Sequence, residues 1–100
     1  MKHKGPEYVF QVLKPYQEKL RELGVRKLGL FGSFAREESR ETSDLDFLVE
    51  LKHETFRSYM DVKFFLKDLF EVEVDLVLIK AIKPQLRDTI LEETIYAPGF

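Results

Sequence analysis

Three aspartates and one glycine–serine pair carry the chemistry that this sequence can perform. Asp44 and Asp46 lie in a stretch, Asp44 to Leu51, where Leu45, Phe47, Val49 and Leu51 alternate with Asp44, Asp46, Leu48 and Glu50. On a strand, side chains two residues apart share a face with their Cα atoms roughly 6.5 Å apart, so both carboxylates can converge on one small cluster of cations. Asp75 belongs to a second alternating stretch, Glu71 to Ile79, on the side opposite Val72, Val74, Leu76 and Leu78. Where two such strands pair side by side, cross-strand Cβ atoms approach to about 5 Å, and three acids then share one site. Crowded carboxylates repel one another unless a divalent cation neutralises them. Magnesium fits, because it takes oxygen ligands, keeps several waters and accepts substrate phosphates, which makes a nucleotide the expected second partner.

Gly32-Ser33 supplies the complementary half. Glycine lets backbone approach a phosphate closely, and serine offers an N–H and a hydroxyl at the start of a helical turn. Taken singly, each feature has a plainer reading. Gly-Ser occurs in many turns, Asp-x-Asp can be a solvated strand face, and Asp75 can pair with a lysine. Glu50 and Glu73 extend the acidic face as exposed neighbours, and His53 reads as a surface residue.

The elements that must position these groups follow from periodicity. Tyr8, Val9, Val12, Leu13, Tyr16, Leu20 and Leu23 recur at three- and four-residue spacing, which predicts an amphipathic helix from Pro6 to Leu23, closed by Gly24 and kinked or started late at Pro15. Lys27 to Phe31 reads as a short strand ending in a turn at Gly32, and the polar run Arg36 to Ser43 as a loop. Thr55 caps a helix running to about Phe70, with Phe56, Tyr59, Met60, Phe64 and Leu66 or Leu69 as its core stripe. The third strand is Glu71 to Ile79. Pro84 introduces a last helix, about Gln85 to Tyr96, with Leu86, Ile90, Leu91 and Ile95 as its apolar side. Tyr96 is expected to pack within that helix, and Phe64-Phe65 to belong to core or interface. The fold class is α+β, an α/β sandwich with a small mixed sheet flanked by helices.

The whole chain bounds the reading. One hundred residues suit a single domain spanning 1–100, and 44% hydrophobic residues with nine Phe are enough for a core. The absence of cysteine excludes disulfides, thiolate zinc sites and thiol nucleophiles. A formal net charge of −2 gives no broad positive field for long nucleic acid. Lys14, Lys19, Arg21, Arg26 and Lys27 are the best local patch, with a solvated helix face as their plainer reading. No stretch approaches the ~20 apolar residues of a membrane span, and the expected location is cytoplasmic.

Gly32-Ser33-Phe34-Ala35-Arg36, Ser43-Asp44-Leu45-Asp46-Phe47-Leu48-Val49 and Val74-Asp75-Leu76-Val77 together resemble the minimal nucleotidyltransferases of the DNA polymerase β superfamily, in order and over nearly the whole chain. The resemblance implies the polymerase β-like nucleotidyltransferase fold and magnesium-dependent transfer of a nucleoside monophosphate, AMP from ATP, to an acceptor hydroxyl. It implies two Mg2+ ions held by Asp44, Asp46 and Asp75, with Asp75 also a candidate to take the hydroxyl's proton. It assigns phosphate binding to Gly32, Ser33 and Arg36, with Arg40 a weaker candidate. Family members of this size stand beside a helical HEPN partner as the antitoxin of a toxin–antitoxin pair, and some adenylylate a tyrosine of that partner. The resemblance leaves a homo-oligomer open. Its alternatives are a non-catalytic member acting as antitoxin or assembly subunit by binding its partner, and transfer to a small hydroxylated molecule. The sequence departs from the family at Glu37 and Glu38, where glycine commonly follows Ala-Arg; two carboxylates there repel a triphosphate unless they point to solvent.

Overall fold

The structure is a computed structural model and describes residues 6–32 and 45–100. The predicted first helix is broken in two. Pro15 cannot donate a backbone hydrogen bond and crowds the preceding turn. Helix α1, Pro6–Leu13, therefore passes through a 3-10 turn, Lys14–Tyr16, into α2, Gln17–Glu22. Gly24, at φ 102°, donates its N–H to the Arg21 carbonyl at 2.9 Å and turns the chain into strand β1, Val25–Phe31.

Strand β2, Leu45–Leu51, leads to α3, Phe56–Phe70. The Thr55 hydroxyl caps that helix by accepting from the Ser58 N–H at 3.1 Å, and Glu71 closes it in the left-handed conformation at φ 58°. Strand β3, Val74–Leu78, is shorter than the alternation suggested. Helix α4, Pro84–Glu93, stops before Tyr96, and Ile95–Tyr96 forms a two-residue strand, β4.

The sheet order is β3-β2-β1-β4, with β1 antiparallel to β2 and β4 and β2 parallel to β3. This is the expected mixed α+β sheet, with one more strand than the periodicity indicated. Leu28, Leu30, Leu45, Phe47, Val49, Leu51, Val74 and Leu76 face one core with Val9, Leu13, Leu20, Val62 and Leu66 from the first three helices. Phe47 lies at its centre, fully buried, with its ring 6.0 Å from that of Phe70. Burying such a side chain contributes roughly 1.5–3 kcal/mol.

Two apolar stripes are corrected. On α3 Leu66 is buried and Tyr59 and Leu69 pack against the core as expected, with Val62 buried beside them, whereas Phe56 is 80% and Phe64 54% exposed. On α4 no residue is buried and Leu86 is half exposed, so its apolar side lies outside the main core. Leu48, expected on the polar face of β2, is fully buried, so that face is covered beyond Asp46. No helix among the described residues is long and apolar enough to cross a membrane.

The chain's last residues dock on α2. Gln17 donates to the Pro98 carbonyl at 2.7 Å, and the Arg21 guanidinium donates to the Gly99 carbonyl and lies over the Phe100 ring at 5.6 Å. Arg21 thus belongs to packing rather than to an open basic patch.

Candidate functional site

The site is built on the sheet face opposite the helical core. Strand alternation puts Leu45, Phe47 and Val49 into the core and turns Asp46 outward, and Val74 and Leu76 do the same for Asp75. The register then decides whether the two acids meet. Phe31 pairs with Asp46 across β1 and β2, and Asp46 pairs with Asp75 across β2 and β3, so the three form one row across the sheet. Asp46 is half-buried in the middle of the row and Asp75 is exposed at its end.

Gly32 immediately follows the row. At φ 78° it holds a backbone conformation that other residues rarely adopt, and a Cβ built there would overlap the Asp46 carboxylate oxygen Oδ2. The turn backbone and the Asp46 carboxylate therefore lie against each other only because residue 32 has no side chain. Ser33, Arg36, Arg40, Glu37, Glu38 and Asp44 lie outside the described residues.

The neighbouring acids are separated from the pair by their own partners. Glu73, on the same face as Asp75, pairs with Lys67 at 3.3 Å, and its carbonyl accepts from the Leu45 N–H at 3.1 Å. Glu50 stands opposite Lys27 in the β1–β2 register. Asp75 makes no ion pair among the described residues. His53 is exposed on the turn after β2.

Two carboxylates on one rung, with no nitrogen or sulfur donor in the row, form a donor set suited to a hard divalent cation. Such a cation is held by one or two carboxylates together with waters and phosphate oxygens. No group of three metal-ligating side chains comes together among the described residues, and the third acid expected there, Asp44, lies outside them.

Sequence reasoning missed two contributors to this region. Gly29 lies two rows away, where a Cβ would meet the Thr94 methyl at 2.5 Å and Tyr96 Cδ1 at 3.1 Å, so its bare backbone admits β4 beside β1. A glycine inside a strand was the available signal. Tyr59 donates to the Leu76 carbonyl at 2.6 Å, a bond that leaves no trace in sequence periodicity.

Comparison with known proteins bears on this arrangement. The nucleotidyltransferase domain family matches residues 13–97. The chain is 34% identical over 92 residues to the protein adenylyltransferase MntA of Thermococcus cleftensis, covering 90% of this chain and 93% of that protein. A solved structure assigned as a minimal nucleotidyltransferase superposes with a TM-score of 0.71 at 34% identity, covering 86% of this chain and 93% of the other. The same fold, at 19% identity and a TM-score of 0.63, occurs in a Shewanella oneidensis complex of a tri-AMPylated HEPN toxin with an MNT antitoxin, covering 91% of this chain and 73% of the matched one.

Proposed function

The chain belongs to the nucleotidyltransferase domain family, and from that membership we propose that it transfers AMP from ATP, with Mg2+, to a hydroxyl of a protein partner. The partner class we propose is a HEPN-type helical toxin that this chain restrains as antitoxin, with a tyrosine as acceptor. The observation that carries the reading is the shared rung of Asp46 and Asp75 beside the Gly32 turn. The 34% identical relative bears the name of a protein adenylyltransferase, which supports a protein acceptor.

In this reading the acceptor hydroxyl oxygen attacks the α-phosphorus of ATP and forms a P–O bond as the bond to pyrophosphate breaks. The Asp75 carboxylate, exposed at the row's end, takes the hydroxyl proton. Asp44, Asp46 and Asp75 would hold the cation, which would help to orient the triphosphate. Bound Mg2+ supplies charge neutralisation at the phosphates and makes the acceptor hydroxyl more acidic. The Gly32 turn keeps Asp46 in place and leads into Ser33 and Arg36, to which we assign contacts with the phosphate oxygens.

The test uses the purified chain with its co-expressed helical neighbour, Mg2+ and ATP labelled at the α-phosphate. Label is expected on a tyrosine of the neighbour, and chelation of the metal or Asp46→Asn is expected to abolish it. Inhibition of the neighbour that survives Asp46→Asn, with no label ever transferred, would sink the catalytic reading and favour a stoichiometric binder.

A further inference from the structure

The geometry points to Tyr59 as a positioning residue for Asp75, an inference that rests on the proposed role of Asp75 in holding the cation. Among the described residues, strand β3 is the edge of the sheet and is hydrogen-bonded to a neighbouring strand on one side only. The Glu73 carbonyl points toward β2, where it accepts from the Leu45 N–H. Backbone groups alternate sides along a strand, so the Leu76 carbonyl, three residues on, points to the open edge. Tyr59, at the end of the first turn of α3, reaches that carbonyl with its hydroxyl at 2.6 Å while its ring packs, partly buried, against the core.

One side chain thus ties the free side of β3 to the helix at the residue directly after Asp75. The opposite side is fixed by the ladder to β2. Metal-binding carboxylates must be held within about 0.5 Å of their working geometry, and an edge strand tethered on one side alone does not meet that demand as well as one held on both. The helix is held on the core by Val62, Leu66, Leu69 and Phe70 together, so the hydroxyl keeps its support when one of them is shortened. Tyr59 acts through the backbone of β3, by its bond to the Leu76 carbonyl.

The experiment compares the full chain with Tyr59→Phe, Asp75→Asn and Val62→Ala, titrating each with Mn2+ in the presence of a non-hydrolysable ATP analogue and recording the spectrum of free Mn2+. Tyr59→Phe is expected to weaken Mn2+ binding about tenfold, the scale on which supporting residues act on metal sites, and to speed amide exchange along β3. Val62→Ala loosens the core beneath the same helix without touching the bond. It is expected to lower the melting temperature and leave Mn2+ affinity at the parental value. Parental affinity in Tyr59→Phe alongside a loss in Asp75→Asn overturns the inference and spares the role of Asp75. An equal loss in Val62→Ala overturns it as well, because general loosening then accounts for the effect. Parental affinity in Asp75→Asn removes the reading on which the inference stands, and the inference with it.

Discussion

Asp46 and Asp75 occupy one rung of the parallel β2–β3 ladder, two like charges set directly opposite each other on neighbouring strands. Such placement is unfavourable for the folded chain alone, since like charges across a rung repel. It follows that activity and stability should move in opposite directions when Asp75 is neutralised. Asp46→Asn and Asp75→Asn are each expected to lower nucleotidyl transfer at least a hundredfold, and Asp75→Asn to raise metal-free stability by roughly 0.5 kcal/mol. Urea denaturation in the presence of a chelator, beside the transfer assay, checks both halves. An Asp75→Asn variant that is inactive and also less stable than the parent contradicts the repulsion on which the site is argued.

Gly32 couples backbone to chemistry in a way that a substitution can expose. Alanine at this position meets two obstacles, the left-handed backbone at φ 78° and the Asp46 carboxylate in the space its Cβ needs. The backbone strain costs about 1–2 kcal/mol, and displacement of Asp46 should in addition weaken divalent-cation binding. Gly24, also at positive φ but with open space around it, is the matched control. Gly24→Ala is expected to lose similar stability and keep its cation affinity, measured by thermal melting and Mn2+ titration on both variants.

The strands that carry the acids were legible because apolar residues alternate with the aspartates, with Leu48 and Val77 the interruptions on the acidic face. Helix α3 was less so. The expected stripe runs together two groups, one of Phe56, Met60 and Phe64 and one of Tyr59, Leu66 and Leu69 with which Val62 and Phe70 belong, and periodicity alone cannot say which of the two the sheet covers. The packing against Phe47 and β3 selects the second. Leu66→Ala is accordingly expected to cost 2–5 kcal/mol, as cavity formation in a core does, and Phe64→Ala to stay within about 0.5 kcal/mol of the parent. Chemical denaturation of the two variants decides it, and a large loss in Phe64→Ala would return the core to the first stripe.

Strand β4 was invisible in the sequence for a different reason. Two residues, Ile95 and Tyr96, are too few to show alternation, and both are exposed, so no hydropathy marks them. What holds them is backbone: the register to Gly29 and Leu30, the Ala97 N–H donating to the Leu28 carbonyl at 2.8 Å, and the empty space over Gly29 into which Thr94 and Tyr96 fit. Gly29→Val fills that space with two methyl groups and is expected to cost about 1–3 kcal/mol, the range for overpacking. The loss should be local, because Gly29 lies two rows from Asp46 and its own ladder to Leu48 is undisturbed. Amide exchange should therefore rise at residues 95–97 and stay low along β2 and β3, with Mn2+ affinity near the parental value. Faster exchange spread evenly over all four strands would mean that β4 is an integral part of the sheet that carries the aspartates rather than a strand laid against its edge.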